Sequence, residues 1–130
     1  MKLFLLASLG GAIGAGARYL VNYASAQCMA SGFPWATFIV NVVGSFLMGM
    51  VVAAFVPYLG GSVAWRTFLA TGILGGFTTF SAFSLDAMLL LEKQQLTLLA
   101  LYVLGSVVVS VLALAVGVGV VRIALNLGLR

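Results

Sequence analysis

The sequence predicts an all-α integral membrane protein with four transmembrane helices and a break in the third. Three observations predict it. Hydrophobic residues make up 64% of the 130 residues, against about 45–50% apolar in a soluble domain. Charged residues are 6%, six basic and two acidic, against about 25%, too few to cover a soluble surface. The apolar residues fall into four long stretches, and one helical span takes about 20 residues. The mean hydropathy is +1.27. These numbers exclude an ordinary soluble enzyme, a disordered tail and a secreted disulfide scaffold. Four spans leave only short loops, so the expectation is one membrane domain over residues 1–130, with neighbouring spans antiparallel. Histidine is absent and Cys28 is the one cysteine, which excludes a His/Cys metal site and an internal disulfide. The net charge of +4 is dispersed, unlike a nucleic-acid-binding patch.

The first span covers about residues 3–24. Lys2, an apolar run and Ala24-Ser25-Ala26 imitate a signal peptide. The run is longer than an h-region of about 7–15 residues, is rich in glycine and carries Arg18, so it is read as a retained span. Gly10 and Gly14 have the G-x-x-x-G spacing that lets helices approach closely in lipid. Arg18 has two readings: an anchor snorkelling to the interface beside Tyr19, or the wall of a positive aqueous vestibule that attracts anions. Both stay open.

The second span covers about residues 35–56 and is expected to stop at Pro57, ahead of Gly60-Gly61. Thr37, Asn41 and Ser45 recur every four residues, which puts them on one helix face. The third span covers about residues 63–91. Its centre reads Gly75-Gly76-Phe77-Thr78-Thr79-Phe80-Ser81-Ala82-Phe83. Adjacent glycines and threonines are poor helix formers, and a break there frees carbonyls at membrane depth. Such carbonyls are tolerated only where protein, a cavity or an ion meets them, and broken helices hold small cations this way. With no carboxylate beside the break, a buried Na⁺ is the natural occupant. Phe77, Phe80 and Phe83 follow at three-residue spacing. Their rings either pack against lipid and core or turn their positive edges toward a conduit for anions.

The fourth span covers about residues 96–125. Tyr102, Ser106 and Ser110 repeat the four-residue spacing of the second span. Polar stripes in membranes serve as interhelical glue at about 0.6 kcal/mol per bond. Two matching stripes in so apolar a chain favour a wet track lined by neutral hydrogen-bond donors. Asn41 leads the candidates, because it sits mid-span and its amide offers two donors. With the N-terminus inside, Lys2, Arg66, Arg122 and Arg130 lie on the inner side, against Arg18 and Lys93. That weak bias is compatible with insertion in both orientations.

These residues carry a resemblance to the Fluc (CrcB-type) fluoride channels. Gly10-Gly11-x-x-Gly14-Ala15-x-x-Arg18-Tyr19 resembles the family's first-span motif. Thr37-x-x-x-Asn41-x-x-Gly44-Ser45-Phe46-x-x-Gly49 resembles the second, and Gly75-Gly76-Phe77-Thr78-Thr79-Phe80-Ser81-x-Phe83 the third, which is the most specific. Ala82 departs from a frequent threonine, Ala36 from a glycine and Asp86 from a glutamate. The resemblance implies an antiparallel dual-topology homodimer, in a bacterial cytoplasmic (inner) membrane, with two pores along the subunit interface. It implies that the edges of Phe80 and Phe83 contact fluoride and that Asn41 donates its amide to it. Ser110, with Thr37, Ser81, Tyr102 and Ser106, would line the track. Arg18 would sit near a vestibule. Carbonyls of Gly75 and Thr78 from both subunits would hold a central structural Na⁺. The partners implied are fluoride, a second copy of the chain and membrane lipid, with no nucleic acid.

Neutral donors suit such a task. They replace the water that a small, tightly hydrated anion loses, without a fixed charge that would trap it. The expectation is a passive channel that exports fluoride, not an enzyme. The alternative is a small four-span proton-coupled exporter, which needs a carboxylate in its cavity. Asp86 and Glu92 are the only acids, both late in the third span. A non-transporting scaffold and a fluoride/proton antiporter are also weighed. The first leaves the two stripes and the broken helix unexplained. The second lacks a mid-membrane proton carrier.

Overall fold

A computed structural model describes residues 1–29 and 32–128. Arg130, one of the inner-side charges, lies outside the described residues. Among those residues four helical spans are long and apolar enough to cross a membrane. The first is α1 (Lys2–Cys28), a run of leucine, alanine and glycine that ends where Met29 turns extended. Pro34 then precedes α2 (Trp35–Leu59). The expected stop at Pro57 is corrected by two residues. The proline costs the bond its missing N–H would make to Ala53, which a membrane helix tolerates. Gly60 and Gly61 end the helix instead, at left-handed φ of 59° and 66° that only glycine adopts freely.

The third span runs over Val63–Glu92 and is not one regular helix. It begins as α3 (Val63–Arg66), loosens into a π-helical stretch over Thr67–Leu74 and closes with the short α4 (Gly75–Phe77). Thr78 and Thr79 are both extended, and α5 (Phe80–Glu92) restarts the helix. Fifteen residues precede the extended pair and thirteen follow it, so the break lies near mid-depth. The expected break is therefore present, with its position refined. The glycines stay helical and the threonines carry the interruption. The fourth span is α6 (Leu96–Gly128), 33 residues long.

α2 packs most extensively on α6, while α1 packs on the π-helical stretch and α4. Glycines set both contacts. A Cβ on Gly10 would stand 2.6 Å from the Phe68 carbonyl oxygen, and one on Gly14 would strike the Ile73 carbonyl. Gly49 and Gly117 stand the same way between α2 and α6, against the carbonyls of Leu114 and Phe46. In lipid, where apolar surface gives helices no reason to associate, close backbone packing supplies the attraction. Gly11 and Gly16 have open space over their α-carbons, so only two of the four first-span glycines are needed by the chain's own packing. The largest apolar side chains point outward, and the buried apolar set is small: Val40, Leu74, Leu90, Tyr102 and Val121. That inside-out pattern suits a hydrocarbon surround.

Candidate functional site

The site is built around the break. With Thr78 and Thr79 extended, four carbonyls at the end of α4 lose the N–H groups a continuous helix would supply. Among the described residues, the carbonyls of Gly75, Gly76, Phe77 and Thr78 accept no hydrogen bond from the chain. The Leu74 carbonyl accepts two, from the Thr78 N–H at 3.0 Å and the Thr78 hydroxyl at 2.9 Å.

α2 holds the extended pair in place. The Thr79 N–H donates to Asn41 Oδ1 at 2.8 Å, and Asn41 Nδ2 donates to the Thr79 carbonyl at 3.1 Å. The amide thus pairs with the backbone as a neighbouring strand would. Three residues along α2, Gly44 leaves room for the Thr78 methyl, which a Cβ would meet head-on. The Thr79 hydroxyl accepts the Ala82 N–H at 3.2 Å and so caps α5. The same oxygen lies 3.2 Å from Ser81 Oγ.

Beside this junction is a cavity of about 330 Å³. Asn41 and Ser45 line it from α2, Phe80 and Phe83 from α5, and Ser106 and Ser110 from α6. It opens where Phe80, 79% exposed, and the exposed Val107 and Val111 reach the surface. The Phe80 and Phe83 rings are 5.5 Å apart. The hydroxyl oxygens of Ser106 and Ser110 are buried and have no hydrogen-bond partner. A hydroxyl in that condition costs about 1–3 kcal/mol, and both belong to residues that line the cavity.

Five site candidates therefore line one cavity, Asn41, Phe80, Phe83, Ser106 and Ser110, while Ser81 is exposed at the start of α5 and does not line it. Thr37 and Tyr102 do not line it. Tyr102 is fully buried, its ring 5.2 Å from Phe83 and 5.6 Å from Phe33. Its hydroxyl donates its one hydrogen to Asp86 Oδ2 at 3.2 Å, so while that bond stands it has none for an anion. Thr37 lines a second pocket of about 350 Å³, shared with Asn22 and Ser25 of α1, Trp35 and Asp86. Arg18 is half-buried one turn before Asn22, on the same α1 face. The polar residues thus divide into a central cavity and an outer pocket, with Tyr102 between them.

Sequence reasoning missed Thr79, although a threonine three residues before the Ala82 N–H is a recognisable helix cap. It also missed the Asn41–Thr79 pairing, which joins residues 38 apart in sequence and leaves no local signal. Asn22 was legible in principle, at helical spacing from Arg18.

A half-open cavity of mainly apolar lining beside a broken helix, in a chain of four apolar spans, defines a small multi-pass membrane protein. The family described as "CrcB-like protein, Camphor Resistance (CrcB)" matches residues 5–118, and the chain belongs to it. The family resemblance drawn from the motifs therefore holds. A relative from Agrobacterium fabrum named "Fluoride-specific ion channel FluC" is 50% identical over 117 residues, covering 90% of this chain and 94% of its own. Relatives of the same name from Cereibacter sphaeroides and Rhodopseudomonas palustris are 52% and 48% identical. They cover 91% and 92% of this chain, and 93% and 96% of their own. That name describes a channel, not an enzyme.

Proposed function

We propose that this protein is a fluoride-selective passive channel of the bacterial inner membrane, working as a dual-topology homodimer with two pores. The observation that carries the reading is that Ser106 and Ser110, whose hydroxyl oxygens are buried and partnerless, line the same cavity as Phe80 and Phe83. Fluoride is small and strongly hydrated, and a pore must replace its lost water. Hydroxyl donors already stripped of water and protein partners do this with no reorganisation. The positive edges of the phenylalanine rings add attraction without a fixed charge. Asn41 contributes its remaining Nδ2 hydrogen, since the other is directed at Thr79. The cavity lining contains no acid, which weighs against a proton-coupled exporter. The second pocket, which Asn22 lines one turn beyond Arg18, serves as the vestibule. There the cationic side chain raises the local concentration of anions.

A second copy of the chain is part of the reading. Phe80, Ser81 and Gly75 are exposed near mid-depth, and the carbonyls around the break lack donors. Polar backbone facing hydrocarbon costs several kcal/mol per group, so a partner subunit covers this face and completes each pore. The free carbonyls of Gly75 and Thr78 also fit a structural Na⁺. They are hard oxygen donors at the negative end of a helix, and no side chain stands over Gly75. Among the described residues no cluster of His, Cys, Asp and Glu offers a metal site. The ion would supply a fixed positive field beside the conduit.

The test is passive efflux from liposomes containing the purified protein, followed with fluoride and chloride electrodes in parallel. Fluoride release without chloride release, and without a proton gradient, is expected. A folded dimer that releases no fluoride would overturn the proposal.

A further inference from the structure

We infer that Thr79, clasped by Asn41, is a positioning residue for conduction. It fixes the turn from which Phe80 reaches the cavity. The inference rests on the channel reading above and adds a residue and a role to it.

The geometry supports the role from three directions. Both backbone polar groups of Thr79 are held by one side chain, at 2.8 Å and 3.1 Å. Its hydroxyl holds the first turn of α5 through Ala82 and touches Ser81 Oγ. Its neighbour Thr78 is tied back to Leu74 and seated over Gly44. An extended pair joining two helices would otherwise swing freely, because it lacks helical bonds of its own. Here each bond removes one way of swinging. Phe80 follows directly and stands exposed, with little packing of its own to fix it. Where its ring points is decided by Thr79.

This gives Asn41 two tasks that a single substitution confuses. One N–H bond holds the break, and the other N–H is free for the ion. Thr79 lines the cavity, yet it separates the two tasks, because its hydroxyl caps α5 and does not touch the Asn41 amide. That oxygen is already engaged with Ala82 and Ser81.

The test compares Thr79→Val and Thr79→Ser with the wild-type protein by single-channel recording in fluoride, with purified dimers in planar bilayers. Valine keeps the branched shape and the backbone clasp but removes the cap. Serine keeps the cap. Thr79→Val is expected to lower the unitary fluoride current severalfold, and Thr79→Ser to restore it. A merely structural role would change the number of active channels and leave the unitary current alone. Wild-type unitary current in Thr79→Val would overturn the inference while leaving the channel reading intact. A silent wild-type protein would overturn both. Amide hydrogen exchange on the detergent-solubilised dimer gives a readout free of conduction. Asn41→Ala is expected to expose the amides of Thr79 to Ala82 selectively, with the rest of the spans protected. Unchanged protection there would equally overturn the inference.

Discussion

Removing the Ser110 hydroxyl should make the protein more stable and the channel slower. Ser110 Oγ is buried without a partner, and such a group costs about 1–3 kcal/mol. Ser110→Ala deletes that cost and leaves a gap of one oxygen beside a cavity already present. In fluoride-free buffer the variant should therefore unfold later, by up to about 1–3 kcal/mol. In conduction the sign reverses. A hydrogen bond to a charged group contributes about 1.5–3 kcal/mol. Each 1.4 kcal/mol added to a barrier slows passage about tenfold. If that bond counts mainly at the barrier, fluoride flux should fall about ten- to a hundredfold. Thermal unfolding of the detergent-solubilised dimer and fluoride efflux from liposomes read the two effects on the same preparation. A loss of stability without fluoride would show that the hydroxyl has a structural partner. Full flux would show that the ion does not use it.

Three further substitutions test other parts of the reading. Asn41→Asp keeps an acceptor for the Thr79 N–H but sets an oxygen against the Thr79 carbonyl and a negative charge beside the conduit. Fluoride efflux should fall about a hundredfold, the equivalent of about 2.7 kcal/mol on the barrier, within the range of about 1–3 kcal/mol for an unsatisfied group, which is larger for a charged one; ordinary efflux would remove Asn41 from the pore. Phe80→Ile and Phe83→Ile keep apolar bulk but lose the ring edge, so each should cut efflux while the dimer still elutes intact in size-exclusion chromatography. Normal efflux in both would end the ring-edge argument. Gly75→Val meets only the Ala70 carbonyl, at 3.5 Å from its Cβ, so the single chain has room for it. The variant should fold yet fail to dimerise, and an intact dimer with wild-type elution would show that no partner packs there.

The four spans were legible because hydrocarbon imposes one rule on every residue, and composition records the answer. The break was legible too, since Gly75, Gly76, Thr78 and Thr79 all disfavour a helix. Its register was not. Gly75 and Gly76 remained helical, and the small size of Gly76 serves packing against α1, where a Cβ would stand 2.5 Å from the Gly11 carbonyl oxygen. Thr79 is held out of the helix by its two bonds to Asn41, just after Thr78 makes the last helical bond, to Leu74. The two polar stripes show the same division. Helical spacing put Thr37 with Asn41 and Tyr102 with Ser106. Yet Thr37 opened into the outer pocket, and Tyr102 was buried against Phe83, Phe33 and Asp86.

What the sequence determined by itself is therefore whatever depends on a residue and its near neighbours in the chain. That includes membrane residence, the number of spans, the weak point of the third and the neutral donors available to an ion. The family motifs were part of it as well. What the tertiary structure decided is how each donor is engaged. Asn41 grips Thr79, Tyr102 gives its hydrogen to Asp86, and Ser106 and Ser110 are buried without a partner. A hydrogen bond requires two groups within about 3 Å. Between residues 38 apart, as Asn41 and Thr79 are, only the packing of whole helices brings that about.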